Sequence, residues 1–128
     1  MLLKESWVYI TDNTNIRWIK IFHLYKGFNR KCTYKGYYTK GSAKIVEPPR
    51  IEYKGFKYKY SVKGDIIRQL VVRSVYKIRT KEGLSIKTNS NAGVIIKKKN
   101  NPQSKFLNGP IERAIKRHKW ITLFKKVL

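Results

Sequence analysis

Acidic residues are scarce in this chain: 7 Asp and Glu stand against 30 Lys and Arg over 128 residues, a formal net charge of +23. The seven are Glu5, Asp12, Glu47, Glu52, Asp65, Glu82 and Glu112, and no spacing among them suggests a catalytic acid and base. Asp12, Asp65 and Glu82 already fall in turn sequences. Cysteine is nearly absent too. Cys32 alone cannot form an internal disulfide, and with only His23 and His118 beside it there is no spaced Cys and His set for zinc. We therefore expect no metal and no cofactor. A phosphate-cradling G-x-x-x-x-G-K-[ST] loop is missing, as is a serine in a G-x-S-x-G elbow. Cys32 lies on a basic loop, yet a lone cysteine among lysines is ordinarily incidental, so catalysis is not expected. No run approaches the roughly 18 to 20 apolar residues that a spanning helix requires. Met1 to Ser6 includes Glu5 and leads at once into an apolar strand pattern, which fits neither a signal peptide nor an Arg- and Ser-rich transit peptide.

What is present is charge on a foldable chain. Apolar residues make up 41%, so the composition is not that of a disordered segment despite its charge, and the length suits one domain with a single modest core. A field of +23 repels itself in the compact state and attracts polyanions. The basic residues run from Lys4 to Lys126 and are not gathered on one amphipathic face, which favours an RNA that touches many sides of the protein. Lysine outnumbers arginine, 22 to 8, and Ile, Asn and Tyr are abundant, a usage that suits an AT-rich genome such as an organelle's.

Along the chain the pattern is that of short strands. Trp7 to Ile10 is an apolar run closed by the turn-forming Thr11-Asp12-Asn13-Thr14-Asn15, and Ile16 to Leu24 is a second strand rich in β-branched and aromatic residues. Tyr25 to Gly36 reads as a basic loop, Tyr37 to Val46 as a strand ended by Pro48-Pro49. From Ile51 to Val62 aromatics alternate with lysines around Gly55, as in a projecting two-stranded ribbon that needs something to dock on. Lys63-Gly64-Asp65 turns into Ile66 to Val75, the most apolar strand. Lys81-Glu82-Gly83 and Asn89-Ser90-Asn91 read as turns into Leu84 to Lys87 and Ala92 to Ile96. Several short strands at regular spacing predict a small barrel or sandwich. The period then changes. Pro110 suits a first helical position, Glu112 the positive end of a helix dipole, and Ile111, Ala114 and Ile115 share a face, so a short helix is predicted. Trp120, Ile121, Leu123 and Phe124 form either a further helical turn or a terminal strand, covering the open side of the barrel.

The order of these residues resembles the universal ribosomal protein number fourteen of the large subunit, in its bacterial and organellar form, over nearly the whole chain. The resemblance is carried by Asp12-Asn13-Thr14 with Arg17, by Gly27, Arg30-Lys31 and Gly36, and by Lys63-Gly64-Asp65-Ile66-Ile67 running into Val71-Val72-Arg73. The Glu82-Gly83 turn, Asn91-Ala92-Gly93-Val94-Ile95-Ile96 and Asn108-Gly109-Pro110-Ile111 with Arg113 follow in order. It implies a mainly β fold, a small five-stranded β-barrel with a projecting β-ribbon and one or two short C-terminal helices. Residues 1–128 would form a single domain, with the ribbon at about 49–62 and the helical segment at about 110–128. It implies a structural constituent of the large ribosomal subunit at the intersubunit face. The implied partners are large-subunit rRNA, ribosomal proteins three and nineteen, and small-subunit rRNA across a bridge. A ribosome-silencing factor docks on the family just before Gly109-Pro110, where Ser104-Lys105-Phe106-Leu107-Asn108 replaces the family's G-T-R-I-F and keeps only the basic charge at Lys105. Pro49 to Val62 is longer than in the family, and Gly36-Tyr37 stands where Gly-Asp is usual. With the AT-rich usage, this points to a mitochondrial ribosome, the alternatives being a plastid or a bacterial cytoplasm.

The residues expected to meet rRNA phosphates are Arg17, Lys20, Arg30, Lys31, Lys35, Arg50, Lys54, Lys57, Lys59, Arg73, Arg79, Lys97, Lys98 and Lys99. The expected bridge or protein-partner surface is Lys105, Phe106, Asn108, Arg113, Lys116 and Arg117. Two rival readings are a free-standing barrel that stacks single-stranded bases on Tyr53, Phe56, Tyr58 and Tyr60, and an RNA-modifying enzyme using Cys32 or Asp65.

Overall fold

The computed structural model describes residues 1–27, 29–48, 61–97, 100–104, 106–112, 115 and 124–127. Its strands are β1 (Leu2–Leu3), β2 (Trp7–Ile10), β3 (Ile16–Leu24), β4 (Cys32–Thr33), β5 (Tyr38–Val46), β6 (Ile66–Arg73), β7 (Ile78–Arg79), β8 (Ser85–Ile86), β9 (Ala92–Ile95), β10 (Leu107–Ile111) and β11 (Phe124–Val127). Five of them close a barrel in the order β2-β3-β5-β6-β9. All neighbours in it are antiparallel except β2 and β9, whose parallel pairing of Tyr9 with Ala92 and Ile10 with Gly93 shuts the ring. The expectation of a mainly β, five-stranded barrel is borne out. The ribbon expected at 49–62 lies almost wholly outside the described residues.

Side-chain alternation decides what fills the barrel. In β2, Val8 and Ile10 are buried while Trp7 and Tyr9 face out, as the period of two requires. The interior holds Ile10, Ile16, Ile19, Ala43, Ile67 and Ile95 toward one end, and Leu2, Val8, Ile21, Leu24 and Val71 toward the other. Gly41 in β5 permits the close approach of β3: a Cβ there would stand 2.4 Å from Ile19 Cγ2 and 2.6 Å from the Lys20 carbonyl oxygen.

β6 and β9 do not alternate, because both of their faces are covered. Leu70, Val72, Ala92 and Val94 pack on the outside of the barrel against Leu107, Ile111, Ile115 and Phe124. A strand buried on both sides reads as an unbroken apolar run, which is why Leu70 to Val72 is the most apolar stretch of the chain. The second layer is built by β10 and β11, paired in parallel with a register shift between Leu107 and Pro110.

One expectation is corrected here. Pro110 does not begin a helix; it lies in β10, opposite Lys126 of β11. Proline is tolerated at bulges and edges of sheets, where its missing N–H is not required by a ladder. The buried positions Leu107 and Ile111 bracket it and pack on β6 and β9. There is no helix among the described residues. Phe124 belongs to a terminal strand, one of the two alternatives for the last apolar cluster. The rest of the segment predicted as helical falls largely on residues outside those described.

Candidate nucleic-acid interface

Asp12 organises the turn between β2 and β3. Its Oδ1 accepts hydrogen bonds from the Thr14 amide at 3.1 Å and the Thr14 hydroxyl at 2.5 Å, and its Oδ2 accepts the Ile95 amide at 3.1 Å. One side chain thus ties the first turn to the strand that closes the ring. Burial pushes the Asp12 carboxyl above its ordinary pKa, opposed by these hydrogen bonds and by Arg17. The Asp12 carbonyl accepts from Arg17 Nη1 at 3.5 Å, and the Arg17 guanidinium grips Glu47 through Nε at 2.8 Å and Nη2 at 2.9 Å. That fork on a carboxylate raises the Arg17 pKa further.

The expected phosphate contacts therefore differ in their surroundings. Arg17 and Lys20 are surface cations already paired, the latter with Glu5 at 2.7 Å, which holds the Glu5 carboxyl below its ordinary value. Lys31, Arg79 and Lys97 are exposed. Arg30 is half-buried, with Nε donating to the Cys32 carbonyl at 2.8 Å and its guanidinium 4.9 Å from the Tyr37 ring. Lys35, expected among the phosphate contacts, is buried: its side chain is 2% exposed and its Nζ sits 2.7 Å from Glu112, itself 5% exposed, so its charge is met inside the protein. A buried ammonium persists only if a carboxylate faces it, and Glu112, read as a helix-dipole residue, takes that part instead. Arg50, Lys54, Lys57, Lys59, Lys98, Lys99, Lys105, Arg113, Lys116 and Arg117 lie outside the described residues, as do Tyr53, Phe56, Tyr58 and Tyr60.

The structure brings together two residues that had been assigned to different surfaces. Arg73, at the end of β6, donates from Nη1 to the Asn108 carbonyl at 2.9 Å and to the Pro110 carbonyl at 3.4 Å. Its burial lowers the guanidinium pKa from the ordinary value, with Tyr9 opposing. Arg73 and Asn108 line one cleft of about 460 Å³ together with Tyr9, Asn13 and Arg17. Phe106, 68% exposed, stands free on the same segment.

Aromatic groups interleave with the cations. On the outer face of β2 and β3, Trp7 and Trp18 meet edge to face at 6.5 Å, and Tyr9 and Trp18 at 5.5 Å. Trp7 is 45% and Tyr9 37% exposed, so their faces are available to a partner. Around the basic loop, Tyr37 lies under Lys26 at 4.2 Å and contacts Tyr34, which in turn meets Tyr76. Sequence reading missed Lys87, Arg68 and this tyrosine cluster. Arg68 bonds Asn100 Oδ1 at 2.7 Å and lies over the Tyr38 ring. Nothing in a linear pattern joins Tyr34, Tyr37 and Tyr76; the loop that holds the first two is tied to β6 by the Gly36 amide donating to the Val71 carbonyl and the Val71 amide donating to the Tyr37 carbonyl.

Basic side chains distributed around a barrel, with rings interleaved among them, make a surface suited to an anionic partner. The family model for ribosomal protein L14p/L23e matches residues 1–127. The chain therefore belongs to the ribosomal protein L14p/L23e family, whose members are non-enzymatic structural proteins of the large ribosomal subunit with rRNA and ribosomal proteins as partners.

Proposed function

We propose that this protein is built into the subunit-joining face of the large subunit, against large-subunit rRNA and ribosomal proteins three and nineteen, and reaches small-subunit rRNA across a bridge. The observation that carries the reading is the shortage of internal counter-charge. Among the described residues three ion pairs engage Arg17, Lys20 and Lys35, while Lys26, Lys31, Lys63, Lys77, Arg79, Lys81, Lys87 and Lys97 are exposed on several sides of the barrel. Such a surface is matched by phosphates on more than one side. The phosphate-binding set is then Lys20, Arg30, Lys31, Arg50, Lys54, Lys57, Lys59, Arg73, Arg79, Lys97, Lys98 and Lys99, with Arg17 acting beside Glu47. The bridge or partner surface is Lys105, Phe106, Asn108, Arg113, Lys116 and Arg117.

In this proposal residues 1–128 act as one domain, the ribbon at 49–62 is an arm that docks on RNA or a neighbouring protein, and the ribosome is mitochondrial. The excess of lysine over arginine supports the organelle; a plastid or bacterial ribosome is the alternative. With Ser104 and Phe106 in place of the family's pattern, a silencing factor is expected to bind weakly. Sedimentation tests the core of the reading: the native protein co-migrates with the large-subunit particle at moderate salt. Recovery in the free-protein fraction, with the particle intact, would overturn it and favour a free-standing binder of single strands, for which the exposed Trp7 and Tyr9 offer a stacking face.

A further inference from the structure

Arg73 is held in a way that leaves half of it unused. Both carbonyls that anchor it take Nη1. A Cβ on Gly109 would stand 2.0 Å from the same nitrogen, and Gly109 has φ 82°, so the segment 108–110 wraps the guanidinium only because that position is glycine. Among the described residues no hydrogen bond engages Nε or Nη2 and no carboxylate pairs with Arg73. Backbone dipoles fix its position but supply no opposite charge, so the cation is oriented and not neutralised.

Two clefts meet at this side chain. The first, of about 460 Å³, is walled by Tyr9 and Arg17; the second, of about 400 Å³, is walled by Lys87, Thr88, Asn89 and Ser90. Arg73 and Gly109 line both, so the two are halves of one groove crossing the end of β6. Its cations are divided along it. Arg17 lines the first half with its charge offset by Glu47, Arg73 lines both, and exposed Lys87 lines the second. Asp12 lines the first half, but its carboxylate oxygens are turned toward the Thr14 and Ile95 amides. Cations divided along a groove suit a repeating anion better than a single compact one, and a guanidinium edge with two parallel N–H groups suits a phosphate.

We propose that this groove seats a stretch of RNA backbone, with successive phosphates near Arg73 and Lys87 and the Tyr9 ring against the sugar or base edge. The proposal rests on the rRNA reading above and narrows it to one track on the surface. It can be tested with the full chain and fluorescent oligouridylate, measuring affinity over a salt series. Each phosphate contact to a single strand contributes about 0.7 to the slope of log K against log salt. Lys87→Gln and Arg73→Gln are expected to lower that slope by about 0.7 each, and Lys63→Gln, exposed in the turn before β6 and so at the opposite end of that strand from Arg73, to leave it unchanged. Because Arg73→Gln could loosen the segment 108–110, Arg73→Lys is the companion: it keeps the slope and weakens binding through loss of the fork. A wild-type slope retained in Lys87→Gln and Arg73→Gln would overturn the groove while leaving the rRNA reading intact. No salt dependence in the wild-type chain would overturn both. Displacement of the oligouridylate by oligoglutamate of equal charge, as well as by unlabelled RNA, would assign the groove to an acidic protein instead.

Discussion

Asp12 has no spare oxygen, and that makes it a sensitive position. An amide in its place must present an NH₂ group either to the Ile95 amide or to the Thr14 amide, so one buried N–H loses its acceptor whichever way the side chain turns. Asp12→Asn is expected to cost about 2 kcal/mol, the usual price of an unsatisfied buried donor, measured by urea denaturation. Glu112 is sensitive for a different reason. Removing its charge leaves the Lys35 ammonium without a counter-charge in the interior, and among the described residues its Oε1 already has no hydrogen-bond partner. Glu112→Gln should destabilise by about 3 kcal/mol, while the double change Lys35→Met with Glu112→Leu should restore most of that loss. If the single and double variants melt together, the pair is not what fixes this corner of the fold.

Strand identities were legible because β2, β3 and β5 carry strong local patterns. Ile16 to Leu24 was marked by β-branched and aromatic residues, Val46 by the prolines that follow it, and Asp12 by its place in a turn. β10 was misread because Asn108-Gly109-Pro110-Ile111 is locally a good helix entrance. Its actual state is decided by Leu107 and Ile111 packing on β6 and β9, strands far away in the chain. The parallel contact of β2 with β9 had no local signature at all, and β1 is only two residues long. The site followed the same rule. Arg73 was picked out as basic, but its partnership with Asn108 depends on a contact 35 residues away. Gly41→Ala should lower the melting temperature markedly, since its methyl would press on the Lys20 carbonyl as well as on Ile19, and a backbone atom cannot swing aside. The β7–β8 hairpin, joined by two residue pairs and flanked by exposed Leu84, should exchange its amides well before β6 and β9 do.

Taken whole, the molecule is a modest barrel under a large positive charge. Self-repulsion at +23 weakens the compact state, and counter-ions relieve it. The isolated chain should therefore melt at a higher temperature as sodium chloride is raised, and higher still with inorganic polyphosphate at equal ionic strength, as read by calorimetry. A melting temperature indifferent to both would mean that the charges are too far apart to matter for stability. The parallel seam between β2 and β9 sets one more condition, on the order in which the protein can come into being. Tyr9 must wait for Ala92, so during synthesis more than two thirds of the chain leaves the translating ribosome before the ring can shut. Until then β2 and β6 each lack their neighbour β9, and a nascent chain with two open sheet edges and a strong positive charge benefits from being received early by a chaperone or by the RNA it will join.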